Sequence, residues 1–319
     1  MKEYALENDK LLVKFLDFGG SFTYFGLKSD GINCVANFKD KNDYLKISDP
    51  YLNALVGPFA GRIKEGKCDG FNFSVNGGHH LHGGNLGVSK QYFSVCQNNP
   101  TSATLTLTVN HSDDGYPGCV DYTVNYLLED DVLIIDYYAV PSNKQPLNMT
   151  THLYFNLSGS ASEGVRNHVL HIPTSKRCPI AVSGVPESVE KIEKGCAFDF
   201  DDSRTIGQHF DMKPREFDVT RGFDCPYVLE KSVLELEYEP LNKKLVIETD
   251  ATSVVVYTAN YFDESMIMDN GECCGMLSYV ALECQDIPNG MNFDPQVTFY
   301  HDHNNPYKQH SVYHLTSIK

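Results

Sequence analysis

The chain has 319 residues, a formal net charge of −16 and no run of Lys or Arg long enough to neutralise phosphates, which weighs against DNA, RNA or an anionic membrane as a partner. Its 41% hydrophobic and 21% charged content belongs to a folded globular protein able to bury one large core or two ordinary ones. Tryptophan is absent, which counts against a dedicated sugar-binding module and leaves Tyr and Phe for any aromatic contact.

The N-terminal stretch MKEYALENDKLLVKFLDFGG holds no apolar run of signal-peptide length, and no later stretch is long enough to span a bilayer, so a cytoplasmic protein is expected. The ten cysteines are scattered singly apart from Cys273–Cys274, without zinc-ribbon spacing, and are expected as reduced thiols. Residues 57–84 read GPFAGRIKEGKCDGFNFSVNGGHHLHGG. Arg62 lies there among glycines that permit close backbone approach, as a ligand-binding arginine requires, although a surface turn would look the same. His80 and His82 have the spacing of metal ligands on one strand face. No nearby carboxylate completes such a set, so hydrogen-bonding roles in a Gly-rich turn are expected and no metal.

Strand patterns then dominate. TLTLTV at 104–109 alternates, Tyr122, Val124, Tyr126 and Leu128 share a face, and VLIIDYYAV follows at 132–140. Turns such as NNPTS at 98–102 and GYPG at 115–118 separate these runs. LNMTTHLYFNL at 147–157 splits by strand period into two rows. Leu147, Met149, Thr151, Leu153, Phe155 and Leu157 form a core row, opposite Asn148, Thr150, His152, Tyr154 and Asn156. The second row is uncharged, rich in hydrogen-bonding groups and centred on His152, which predicts the floor of a pocket for a neutral, hydroxyl-rich ligand.

A short helix is expected over Pro186–Lys194, and no helical periodicity is sustained over three turns. Asp224 in GFDCPYVL is either a turn cap or a site carboxylate. LELEYEP at 234–240, LVIETD at 245–250 and SVVVYTAN at 253–260 read as strands, the last ending in Thr258 and Asn260 with structural roles by default. In YVALECQDIPNG, Val280, Leu282 and Cys284 face one way and Ala281, Glu283 and Gln285 the other. A lone carboxylate in an apolar strand costs several kcal/mol unless paired, so Glu283 is either neutralised by an arginine or kept for chemistry; beside a pocket histidine, chemistry is the stronger reading. The expected architecture is all-β, one large antiparallel β-sandwich with residues 1–319 as a single domain.

Together these segments resemble the galactose mutarotase (aldose 1-epimerase) family. The resemblance runs in order through Gly-Arg-Ile around Arg62, LHGG ending at Gly84, GYPG at 115–118, THLYFNLSG at 151–159, GFD at 222–224, VYTAN at 256–260 and LECQ at 282–285. It implies a large antiparallel sandwich holding a sugar across one face, and interconversion of the α and β anomers of free aldoses such as galactose and glucose, with no cofactor. It further implies Glu283 as general base, His152 as general acid, and His82, Arg62 and Asp224 as sugar contacts. Ring opening removes the O1 hydroxyl proton while protonating the ring oxygen, and rotation about C1–C2 precedes reclosure. That chemistry calls for Glu283 ionised, its desolvation offset by donors or by Arg62, and His152 protonated, with acid and base on opposite sides of the sugar. The chain departs from the family where Gly61 replaces a common Asn before Arg62, and where Cys225 and Pro226 follow Asp224. Those changes bear on which sugar is recognised.

The expected partner is thus an aldose, and the expected assembly a monomer or homodimer. Three other readings compete: a sugar-binding or sensing relative without turnover, a metal enzyme using His80 and His82 with His301 or His303, and a mutarotase for a phosphorylated or other aldose. Retention of both Glu283 and His152 argues against the first, and the acidic balance offers the third no basic cluster for a phosphate.

Overall fold

A computed structural model describes residues 1–47, 50–202, 204–294 and 299–318. Two antiparallel sheets form the body. The larger has eight strands in the order Val169–His171, Val233–Tyr238, Lys243–Thr249, Tyr307–Ser317, Val132–Pro141, Cys119–Glu129, Ser102–Asn110 and Ser94–Asn99. Its long strands alternate as their sequences do: in Cys119–Glu129 every second side chain is buried, including Tyr122, Val124, Tyr126 and Leu128.

The second sheet has six strands, in the order Tyr154–Phe155, Val280–Gln285, Ser253–Tyr257, Asp224–Val228, Lys176–Arg177 and Glu190–Lys191. Its central strand Val280–Gln285 is buried on both faces. Val280, Leu282 and Cys284 join Val254 and Val256 in the core between the sheets. The other face, with Glu283 and Gln285, turns outward under a cover of loops and forms a cleft. The apolar core cluster includes residues from Leu6 to Leu315.

Two expectations are corrected. Residues 147–157 are not one strand: Thr150–Thr151 pairs with Leu55–Val56, whereas Tyr154–Phe155 pairs with Val280–Ala281. The ladder breaks at His152 and Leu153, where the buried Asn53 takes over: its backbone N–H donates to the His152 carbonyl and its Oδ1 accepts from Tyr154 N–H. The two-row alternation survives the break, because Leu147, Met149, Leu153, Phe155 and Leu157 all reach the core.

Nor is Pro186–Lys194 a helix. Pro186 bridges to Ile180, and Glu190–Lys191 is an edge strand. Pro186 is held by Asn289, whose side-chain N–H donates to its carbonyl, so tertiary contact overrides local preference. The helix Ile206–Phe210 begins instead at a capping box, with Thr205 Oγ1 accepting from Gln208 N–H and Gln208 Oε1 accepting from Thr205 N–H. No helix among the described residues is long and apolar enough to cross a membrane.

Candidate active site

The cleft encloses about 710 Å³, counting the part open to solvent at its mouth, and is lined by Arg62, His82, His152, Asp224 and Glu283 together. All five residues expected from the sequence therefore converge, though they come from positions as far apart as Arg62 and Glu283. Strand pairing explains three placements. Glu283 lies opposite Val255, and Asp224 lies opposite Tyr257, so these side chains stand on one face of adjacent strands. His152 enters from the neighbouring break in the sheet, its N–H donating to the Ala54 carbonyl and its ring stacked on Tyr154 at 4.8 Å.

His82 follows the short strand His79–Leu81 in a left-handed conformation, φ 48°. The next residue must be glycine, because a Cβ on Gly83 would lie 2.1 Å from the Gly57 carbonyl oxygen. Asp114, missed in the sequence because it merely precedes the GYPG turn, anchors this loop. Its carboxylate accepts from the backbone N–H groups of Asn85 and Leu86 and from Ser74 Oγ. Burial works to raise its pKa, but those donors hold the carboxyl below its ordinary value.

The backbone also sets the state of His82. Gly61 N–H donates to its Nδ1 at 3.1 Å, and burial holds the ring neutral, so the remaining proton sits on Nε2 and points to the cleft. His82 is a donor there. His80 faces elsewhere: its Nδ1 donates to the Ser74 carbonyl and its Nε2 accepts from Tyr116 hydroxyl, both at 2.8 Å. The His80/His82 pair therefore forms no metal site, because both His80 nitrogens are used and the two rings lie in different surroundings. A different trio, His82, His152 and Glu283, offers one ligand atom each within 4.8 Å of one another. The Nε2 proton that Gly61 enforces on His82 opposes metal ligation by that set.

His152 Nε2 and Glu283 Oε1 face each other at 3.3 Å, with both side chains almost fully buried. Arg62 and Asp224 lie nearer the mouth and pair at 3.4 Å between Nη1 and Oδ2. Burial pushes Glu283 well above its ordinary value; Asp224 adds to that shift and Arg62 opposes it. Burial lowers His152 to about 3. These directions correct the expectation of an ionised Glu283 beside a protonated His152. The pair as folded favours a neutral carboxylic acid and a neutral imidazole, because Arg62 is engaged with Asp224 and offsets only part of the desolvation.

Other expectations are refined. Of the polar row in 148–156, only His152 and Tyr154 line the cleft. Asn148 bonds the backbone of Ala60 and Asp286, and Asn156 bonds that of Ser158, Ser160 and Ser278. Thr258 and Asn260 are structural, as expected: Asn260 Nδ2 donates to the carbonyls of Thr220 and Phe223 and so fixes the turn that presents Asp224. Tyr51, Tyr257, Tyr261 and Gln285 line the cleft without having been singled out as site residues. The outward face of LECQ was the signal for Gln285; the tyrosines had none, since tyrosine occurs throughout the core as well.

Residues 2–299 match the family model described as Aldose 1-epimerase. The chain belongs to the aldose 1-epimerase family. It is 28% identical to the galactose mutarotase of Homo sapiens over 307 residues, which is 92% of this chain and 87% of that protein. It is 29% identical to the aldose 1-epimerase of Haemophilus influenzae over 301 residues, covering 90% and 87%. Among solved structures, an aldose epimerase homologue from C. elegans superposes with a TM-score of 0.87 at 23% identity, each chain covered completely. The galactose 1-epimerase of Lactobacillus acidophilus gives 0.87 at 24% identity, covering 99% of this chain and 95% of that one. These likenesses establish the all-β sandwich of this family as the fold.

Proposed function

We propose that this aldose 1-epimerase family member is an isomerase that interconverts the α and β anomers of free aldohexoses, galactose and glucose first, using Glu283 and His152 as its acid–base pair. The observation that carries the reading is the 3.3 Å approach of these two groups in a buried wall of the cleft, beside neutral hydrogen-bonding and aromatic side chains.

Acid and base sit side by side rather than on opposite faces of the sugar, and the chemistry accommodates that. The hydroxyl O1 and the ring oxygen are both bonded to the anomeric carbon, so two adjacent groups serve both. Glu283 takes the O1 proton while His152 protonates the ring oxygen, the C1–ring-oxygen bond breaks, and C1 becomes an aldehyde. Rotation about C1–C2 exposes the other face. Reclosure reverses the transfers, with His152 recovering the ring-oxygen proton and Glu283 returning one to O1. The competent pair carries one proton in all. Carboxylic acid with imidazole and carboxylate with imidazolium are tautomers of the same charge, linked by one proton hop across the contact. His82, with its Nε2 proton aimed inward, donates to a sugar oxygen, and Arg62 with Asp224 brackets hydroxyls near the mouth.

The reading takes residues 1–319 as one unit, in keeping with the core cluster from Leu6 to Leu315, and keeps a cytoplasmic location, which ten unpaired cysteines support. Polarimetry on freshly dissolved α-D-galactose and α-D-glucose tests it. Accelerated approach to anomeric equilibrium is expected; no acceleration of either sugar by folded protein sinks the reading for those substrates.

A further inference from the structure

The cleft holds a polar side chain that the acid–base chemistry does not use. Gln285 is fully buried, and neither its amide nitrogen nor its amide oxygen has a hydrogen-bond partner among the described residues. It lines the same cleft as Glu283, two residues along the same strand and on the same face, which places the two Cα atoms roughly 7 Å apart. The Glu283 oxygen not facing His152, Oε2, is likewise buried and without a partner among the described residues. The backbone around Gln285 is by contrast fully engaged. Its carbonyl accepts from Ser253 Oγ, and the next residue, Asp286, has its N–H bonded to Asn148. The strand is therefore held, while the amide at its end is left with a donor and an acceptor to offer.

A buried amide left without partners is destabilising, and an apolar side chain of similar volume would remove that cost. Gln285 also lines the cleft, where a ligand can supply that partner. We infer that Gln285 is a substrate-binding residue, its amide exchanging hydrogen bonds with a ring hydroxyl of the aldose other than O1 while Glu283 engages O1. This assignment rests on the aldose 1-epimerase reading and extends it to the recognition of one particular hydroxyl. Because a site built to bond a hydroxyl rejects analogues lacking it, Gln285 also contributes to the choice among sugars.

The test crosses Gln285→Met with deoxy sugars. Anomer exchange of D-galactose and its 2-, 3-, 4- and 6-deoxy analogues is followed for wild type and variant, with thermal unfolding of both. The variant is expected to unfold no lower than wild type, and kcat/KM for galactose is expected to fall about tenfold. For one deoxy analogue that gap should vanish, as a cycle between side chain and hydroxyl requires. Equal losses on every analogue, or none on galactose, would overturn the assignment; equal losses would make Gln285 a positioning residue for Glu283 instead. Gln285→Leu repeats the series if the methionine variant fails to fold. Should wild type turn over none of these sugars, the functional reading fails by itself. The same variant–analogue cycle is then read by calorimetric binding, and absence of binding as well overturns the role of Gln285.

Discussion

His152 Nε2 and Glu283 Oε1 lie 3.3 Å apart because Tyr154–Phe155 pairs with Val280–Ala281, bringing the ends of two short elements side by side. In the proposed mechanism the two groups share a single proton in the working form. Its surroundings resist charge on either member, which shapes the expected behaviour of the enzyme.

Glu283→Gln should reduce catalysed mutarotation by about 10²- to 10⁴-fold, measured by polarimetry. Its effect on stability should run the other way. Glu283 is raised above its ordinary 4.5 in the folded protein, so its favourable contribution is complete below that pH and is lost as pH rises through the folded value. The variant's melting temperature should therefore equal or exceed that of wild type, with a margin that widens from acid to alkaline pH. A margin that shrinks with rising pH would contradict the assigned direction.

The pH profile of kcat should be a broad bell. Its acid limb belongs to formation of the imidazolium beside the neutral acid, and its alkaline limb to loss of the last proton from the pair. Arg62 lowers Glu283 and Asp224 raises it. Arg62→Met should consequently move the alkaline limb upward in pH and Asp224→Asn move it downward, whatever either does to KM. Shifts in the same direction for both variants would rule this electrostatic account out.

Acid should destabilise the fold through its buried histidines. Burial lowers His152 and His168 to about 3 and His111 to about 4, from an ordinary 6.5. A depressed pKa contributes stability that is present above 6.5 and is lost as pH falls toward the folded values, since the unfolded chain takes up those protons first. Thermal unfolding between pH 8 and 4 should show a melting temperature falling below about 6.5. His168→Gln, away from the cleft, should show a shallower fall; parallel curves would remove His168 from the explanation.

Gly61→Ala should damage both stability and substrate binding. Gly61 has φ 77°, and a Cβ there would sit 2.6 Å from the Pro288 Cβ. The strain should cost about 1–3 kcal/mol in denaturant unfolding. The same displacement disturbs the N–H that tethers His82 and the start of the Arg62 side chain, so KM should rise as well. A variant with unchanged stability and KM would show that the backbone there can give way.

The same geometry restricts position 61 to glycine: φ is 77° and Pro288 leaves no space for a Cβ. Other features divide along similar lines. Alternation along residues 119–129, 132–141 and 233–238 reported the sandwich, because a strand with one buried face must place an apolar residue at every second position. The outward-facing carboxylate in LECQ and the polar row in 147–157 pointed to Glu283 and His152, which meet at 3.3 Å in the cleft wall, since a buried ionisable group in an apolar strand is expensive to keep. The break at His152, the anchoring of the LHGG loop by Asp114 and the absence of a helix at Pro186 were not legible. Each depends on partners distant in sequence: Asn53 for the first, Ser74, Asn85 and Leu86 for the second, Asn289 for the third. Local pattern was enough to say which side chains face away from the core. How close they come and which proton each one holds follow from strand pairing and loop closure, because distance and desolvation arise there and not from the order of residues along one strand.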